Sequence, residues 1–150
     1  MAGIEDRFRG RYEYVIDDKG RVQFPAAFRN VMELLGSSVL MVIPWKDRLR
    51  AYPIEKWAEI ETKILQSGLA LRRFLDYASG GIVRCTFDNQ GRIRITRDTL
   101  KKAGIEKEVV FLGGIEYVNI LDKKVWQKEH AANHEDFESF NADLSSLGIN

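Results

Sequence analysis

The chain is poor in the residues that carry metal, redox or nucleophilic chemistry. It has one cysteine and two histidines in 150 residues, and a net charge of only +1. Cys85 alone cannot form an internal disulfide, which agrees with a reducing compartment, and no positioned base marks it as a nucleophile. His130 and His134 lie four apart on an expected helix with Glu135 alongside. A metalloprotease helix needs Glu directly after its first His, and here Ala131 takes that place. A solvated pair near a helix end is the simpler reading, so no metal, no cofactor and no catalytic residues are expected. The longest apolar run, Val39 to Ile43, is far short of the roughly 20 residues that span a bilayer. Glu5 and Asp6 stand where a secretory signal needs basic and then apolar residues. A cytoplasmic protein is expected, with no membrane partner and no evident small-molecule substrate.

The low net charge conceals an uneven distribution. Residues 129–150 contain five acids and no Lys or Arg, which leaves 23 basic against 17 acidic groups in the rest of the chain. A moderately basic body permits nucleic-acid binding without demanding it. With 45% apolar residues, the chain can bury one ordinary core or two small intertwined ones.

The dominant feature is a repeat. Asp17-Asp18-Lys19-Gly20-Arg21 recurs as Asp88-Asn89-Gln90-Gly91-Arg92, 71 residues later. Ile16, Val22 and Phe24 around the first motif match Phe87, Ile93 and Ile95 around the second. At the same offset Val39-Leu40-Met41 lies over Val110-Phe111-Leu112. From Leu49 and Val118 onward the offset is 69, with Trp57 on Trp126. The missing two residues are therefore expected in the loop between Met41 and Arg48, against Gly113-Gly114.

Each half reads as a hairpin, a short helix, a second hairpin and a longer helix. Pro25 opens a helix that runs to Leu35 and stops at Gly36. Strands follow at about Val39 to Ile43 and Arg48 to Tyr52. Pro53 begins a helix with Ile54, Trp57, Ile60 and Ile64 on one face. A further helix spans Leu69 to Ala78, where Arg72-Arg73 are read as solvated. In the second half, strands are expected at Ile82 to Phe87, Arg92 to Ile95, Glu108 to Leu112 and Ile115 to Leu121, followed by a helix capped by Asp122. The organisation is thus residues 1–66 as the first repeat, 67–81 as a linking helix, 82–134 as the second repeat, and 135–150 as a weakly ordered acidic tail.

Asp-x-x-Gly suits a type I turn that closes with a glycine in the left-handed region, forming a bulge. Asp17 and Asp88 accept bonds from amides two residues on, and Gly20 and Gly91 supply positive φ. The bulge predicts Phe87 opposite Ile93 and Cys85 opposite Ile95, with Ile16 against Val22 and Tyr14 against Phe24. Arg11, Arg21, Arg84, Arg92 and Arg94 then line the polar faces of two ribbons, with Lys19 at a tip. Such a ribbon fits a DNA major groove, where Arg meets guanine and Lys meets phosphate. A solvated arginine beside a common turn is the plain alternative.

The string Phe8-Arg9-Gly10, the first motif with Pro25 and Arg29, the second motif, and Ala103-Gly104-Ile105 together resemble the MraZ family of bacterial transcriptional regulators. The likeness covers about Phe8 to Trp126 and belongs to the AbrB-like swapped-hairpin superfamily. It implies an α+β fold: a duplicated swapped-hairpin β-barrel decorated with helices, with a pseudo-two-fold within one chain. It also implies a regulator of the division and cell wall gene cluster, associated with the nucleoid. Such a regulator binds double-stranded DNA at short direct repeats in its own promoter and assembles as a ring-shaped homo-oligomer. Lys19-Gly20-Arg21 and Gly91-Arg92 carry the DNA role in that pattern. Three positions depart from it. Thr96 stands where a proline is usual, Asn119 replaces an acidic residue, and Gln90 lacks the charge of Lys19, so the first hairpin is expected to be the stronger contact. A second reading, from a different class, is an antitoxin-like or scaffold module that holds a protein through its C-terminal helix and tail.

Overall fold

The computed structural model describes residues 3–150. A short 3-10 turn, Ile4–Asp6, precedes β1 (Arg11–Val15), β2 (Arg21–Gln23), α1 (Ala26–Leu34), β3 (Leu40–Pro44), β4 (Leu49–Pro53), α2 (Ile54–Gln66) and α3 (Leu69–Ser79). Then come β5 (Val83–Cys85), β6 (Arg92–Arg94), α4 (Arg97–Lys102), β7 (Glu108–Gly113), β8 (Val118–Asp122), α5 (Lys123–Glu135) and α6 (Phe137–Ser146). No helix among the described residues is long and apolar enough to cross a membrane.

Two antiparallel sheets share these strands. One has the order β1-β7-β8-β4-β3-β5, and the other is the ladder β2-β6. The halves are interleaved, because β1 pairs with β7, β5 with β3, β4 with β8 and β2 with β6. Among the described residues only β3-β4 and β7-β8 pair within a half. The expected hairpin ladders, with Ile16 against Val22 and Phe87 against Ile93, are therefore absent. Past each turn the two strands part: Ile16 donates its N–H to Lys107 O, whereas Phe24 donates to Gly91 O and Ile95 to Gly20 O. An isolated ribbon would leave its apolar face in water. Parting the strands instead puts Ile16, Val22, Phe24, Cys85, Ile93 and Ile95 into one core with Phe8, Phe28 and Phe111. The rings of Phe28, Phe87 and Phe111 lie 5.3–6.1 Å from that of Phe24.

The two-residue difference between the halves does not sit in the β3-β4 loop. Pro44 pairs with Leu49 and Gly113 with Val118, so both connections hold four residues. Their equivalent residues Lys46 and Ile115 share a positive φ, 63° and 72°. The difference arises earlier: α1 has nine residues and α4 six, and one residue is regained before β7. Both helices nevertheless stop alike. Ser37 N–H reaches back to Met32 O and Ile105 N–H to Leu100 O, each following a left-handed glycine.

Helix starts show how the copies have diverged. Pro25 and Pro53 precede α1 and α2, while α4 and α5 are capped by side chains: Thr96 Oγ1 accepts from Thr99 N at 3.3 Å and Asp122 Oδ2 from Lys124 N at 3.1 Å. A second cluster of Ile43, Tyr52, Trp57 and Ala78 joins α2 and α3 to the sheet, with Ile82 packed against it. Residues 137–146 form α6, none of whose residues is buried.

Candidate nucleic-acid interface

Each Asp-x-x-Gly-Arg turn holds its own arginine. Asp17 Oδ1 accepts from the N–H groups of Lys19 and Arg21 at 2.9 and 2.8 Å, and Oδ2 accepts from Arg21 Nε at 2.7 Å. Asp88 treats Gln90 and Arg92 alike, at 2.9, 2.9 and 2.8 Å. Gly20 and Gly91 take φ values of 80° and 77°. The Arg21 and Arg92 amides are the largest influence holding the Asp17 and Asp88 carboxyls below their ordinary value, and the same arginines' side chains add to it. One carboxylate thus closes the turn and fixes the guanidinium, leaving the η nitrogens outside that bond.

The turns are locked to each other across the halves. In the β2-β6 ladder Arg21 lies opposite Arg94 and Gln23 opposite Arg92, with Val22 and Ile93 between them facing the core. The alternation of a strand puts Arg21, Gln23, Arg92 and Arg94 on the outward face together. Gln23 Nε2 donates to Gln90 O at 3.0 Å, and Arg94 Nε donates to Lys19 O at 3.1 Å, so each half clasps the other's turn. Arg29 of α1 packs its guanidinium over Gly91, and Arg97 of α4 reaches Asp18 O at 3.5 Å.

Among the residues singled out from sequence, Lys19, Arg21, Arg92 and Arg94 therefore come together around the two turns. Arg84 lies on β5 opposite Met41 and lines a cleft with Lys19 and Arg94. Arg11 is elsewhere. On β1 opposite Leu112, it bonds to Glu13 and stacks over Trp126 with its guanidinium carbon 4.3 Å from the ring centroid. Trp126 also stacks on His130 at 4.9 Å. Sequence reasoning puts Gln23 on the polar ribbon face without its bond to the other half's turn and passes over Arg97, because contacts that cross from one half to the other leave no local signal.

Cys85 is buried, and burial pushes its thiol up to about 11. Among the described residues no group of three or more His, Cys, Asp or Glu is placed to hold a metal ion.

These features define a mixed α+β protein with two antiparallel sheets, six α-helices among the described residues and an outward arginine-bearing face built from a repeated turn. The family model described as "MraZ protein, putative antitoxin-like" matches residues 7–72 and 79–146, one stretch for each half. A transcriptional regulator MraZ from Thermoanaerobacter sp. (strain X514) is 36% identical over 143 residues, spanning 93% of this chain and 98% of its own. Another of that name, from Desulforapulum autotrophicum, is 34% identical over 145 residues, with 95% and 99% covered. The chain belongs to the MraZ family.

Proposed function

We propose that this protein is a DNA-binding transcriptional regulator whose contact surface is the outward face of the β2-β6 ladder and its two turns. The observation that carries this reading is the opposition of Arg21 and Arg94 across the ladder, with Arg92 on the same face. Like charges directly opposite each other cost stability; Asp17 offsets that cost at Arg21, and an anion laid over the face offsets it at Arg94, which has no carboxylate partner among the described residues. Asp17 and Asp88 hold two of these arginines in place, so little side-chain freedom is lost when a guanidinium meets a base edge or phosphate.

The strand exchange between halves supports a swapped-hairpin barrel with an internal pseudo-two-fold. Family resemblance supplies the finer expectations: short direct repeats in the protein's own promoter, control of the division and cell wall cluster, and a ring of subunits. A ring that presents many turns multiplies weak contacts into strong, salt-sensitive binding. Arg21→Ala and Arg92→Ala are expected to abolish a mobility shift with the upstream DNA while the assembled mass in size-exclusion chromatography stays unchanged. Retained affinity in both variants refutes the reading.

A second reading, an antitoxin-like or scaffold module, draws on α6. Its Phe137, Phe140 and Leu144 are exposed, and four acids lie between Glu135 and Asp143. A stoichiometric protein partner recovered from nuclease-treated lysate, with no DNA affinity in the purified chain, favours that alternative.

A further inference from the structure

The two turns are alike in backbone and unlike in surroundings. Between the first turn, β5 and α4 lies a cleft of about 870 Å³ that carries Lys19, Arg84, Arg94, Arg97 and Lys101. All five are exposed, and none takes part in an ion pair among the described residues. Asp17, Asp18 and Glu106 also line the cleft, but Asp17 is already bonded to Arg21. Beside the second turn the corresponding cleft is about 280 Å³ and sets Arg29 against Glu33 and Asp88.

The contrast holds position by position. At the 71-residue offset, Lys19 corresponds to Gln90, Arg84 to Glu13, Arg94 to Gln23 and Arg97 to Ala26. Lys101 corresponds to Glu33, because the shorter α4 ends in register with α1: Gly104 N–H donates to Lys101 O at 3.0 Å and Gly36 N–H to Glu33 O at 2.9 Å. Five cations on one side thus face two carboxylates and no cation at the matching positions of the other. Arg94 belongs to both the cleft and the outward ladder face, so the two surfaces are continuous.

We infer that this cleft seats the sugar–phosphate backbone of one DNA strand, and that the duplex lies off the axis relating the halves, displaced toward α4. Against the two remaining carboxylates of the cleft, Asp18 and Glu106, five cations still leave an excess of three positive charges, more than a single phosphate diester neutralises, whereas a backbone offers phosphates in series. The inference rests on the DNA-binding reading and adds to it two backbone-contacting residues, Arg97 and Lys101, together with a direction.

Binding of the full chain to its upstream DNA, followed by fluorescence anisotropy over a range of salt concentrations, tests it. Each phosphate that the protein no longer neutralises lowers the slope of log K against log salt by about 0.9. R97A/K101A is therefore expected to reduce that slope by about 1.8, with affinity weakened for all sequences alike and preference among single-base variants unchanged. Lys101→Glu, which copies the charge at Glu33, avoids disturbing the Arg97 bond to the turn and is expected to lower the slope by at least about 0.9. Glu33→Gln is expected to leave the slope as it was. Wild-type binding with an unaltered slope in both cleft variants overturns the cleft inference and leaves the DNA reading standing. Absence of wild-type binding overturns both.

Discussion

Replacing Gly20 with alanine tests the lock between the two turns. Gly20 sits at a φ of 80°, and a Cβ there presses on the carbonyl oxygen of Ile95 in the other half. Left-handed backbone costs an L-residue about 1–2 kcal/mol. The clash also strains the bond from Ile95 N–H to Gly20 O, now 2.8 Å, whose net value is about 1 kcal/mol. Gly20→Ala is therefore expected to destabilise the fold by about 2–3 kcal/mol. For a domain of this size that lowers Tm by roughly 5–10 °C. Gly36 provides the control: its φ is 69°, yet nothing lies within 4 Å of the added Cβ, so Gly36→Ala bears only the backbone cost of about 1–2 kcal/mol. Gly91→Ala falls between them, because its Cβ meets the flexible end of Arg29 rather than backbone. Urea unfolding of the three variants, read by far-UV circular dichroism, measures the series. Equal losses for Gly20→Ala and Gly36→Ala, within about 0.5 kcal/mol, refute the reasoning that the turns are locked to each other.

Phe24→Ala removes the ring on which three other aromatics converge and is expected to cost about 3–5 kcal/mol in the same assay. Asp17 and Asp88 have carboxyls lowered from 3.8, so the stability they confer is complete above the ordinary carboxylate range and is lost as pH falls through their lowered values. Carboxyl NMR titration is expected to show both midpoints below 3.8, and D17N/D88N is expected to flatten the acid limb of the stability profile. Cys85, buried and raised to about 11, is expected to react with a thiol reagent at neutral pH only at the rate of global opening. Fast native-state labelling contradicts its placement.

Local chemistry was legible in the sequence, and long-range pairing was not. Pro25, Pro53, Gly36, Thr96 and Asp122 mark helix ends because capping is decided within a few residues. The strand partners of the turns are decided by what buries the most apolar surface, and a hairpin motif carries no trace of a competing strand in the other half. The misplaced two-residue difference has a sharper cause. Val39-Leu40-Met41 fits Val110-Phe111-Leu112 at an offset of 71, but Leu40 sits structurally on Val109, at 69. Sliding a strand by two residues keeps every side chain on its own face, so an apolar pattern cannot separate the two alignments. The paired positive φ of Lys46 and Ile115 can. Arg11 shows the same limit for the site: its polarity suggested a ribbon face, but pairing of β1 with β7 turned it toward Trp126. Arg97 and Lys101 belong to no motif and acquire a shared setting only when α4 is packed beside the first turn.

The pairing of β1 with β7 also orders events in time. Arg11 finds Leu112 only after 101 further residues have been made, which at about 5–20 residues per second takes roughly 5–20 s. Throughout that interval β1 and the far edge of β4 have no partners, while the far edge of β3 and β2 wait for most of it, until β5 (Val83–Cys85) and β6 (Arg92–Arg94) are made. Contacts this distant in sequence slow folding. The nascent first half is thus a set of open strand edges, and on a ribosome-crowded message the nearest matching edges belong to the neighbouring copies of the same chain.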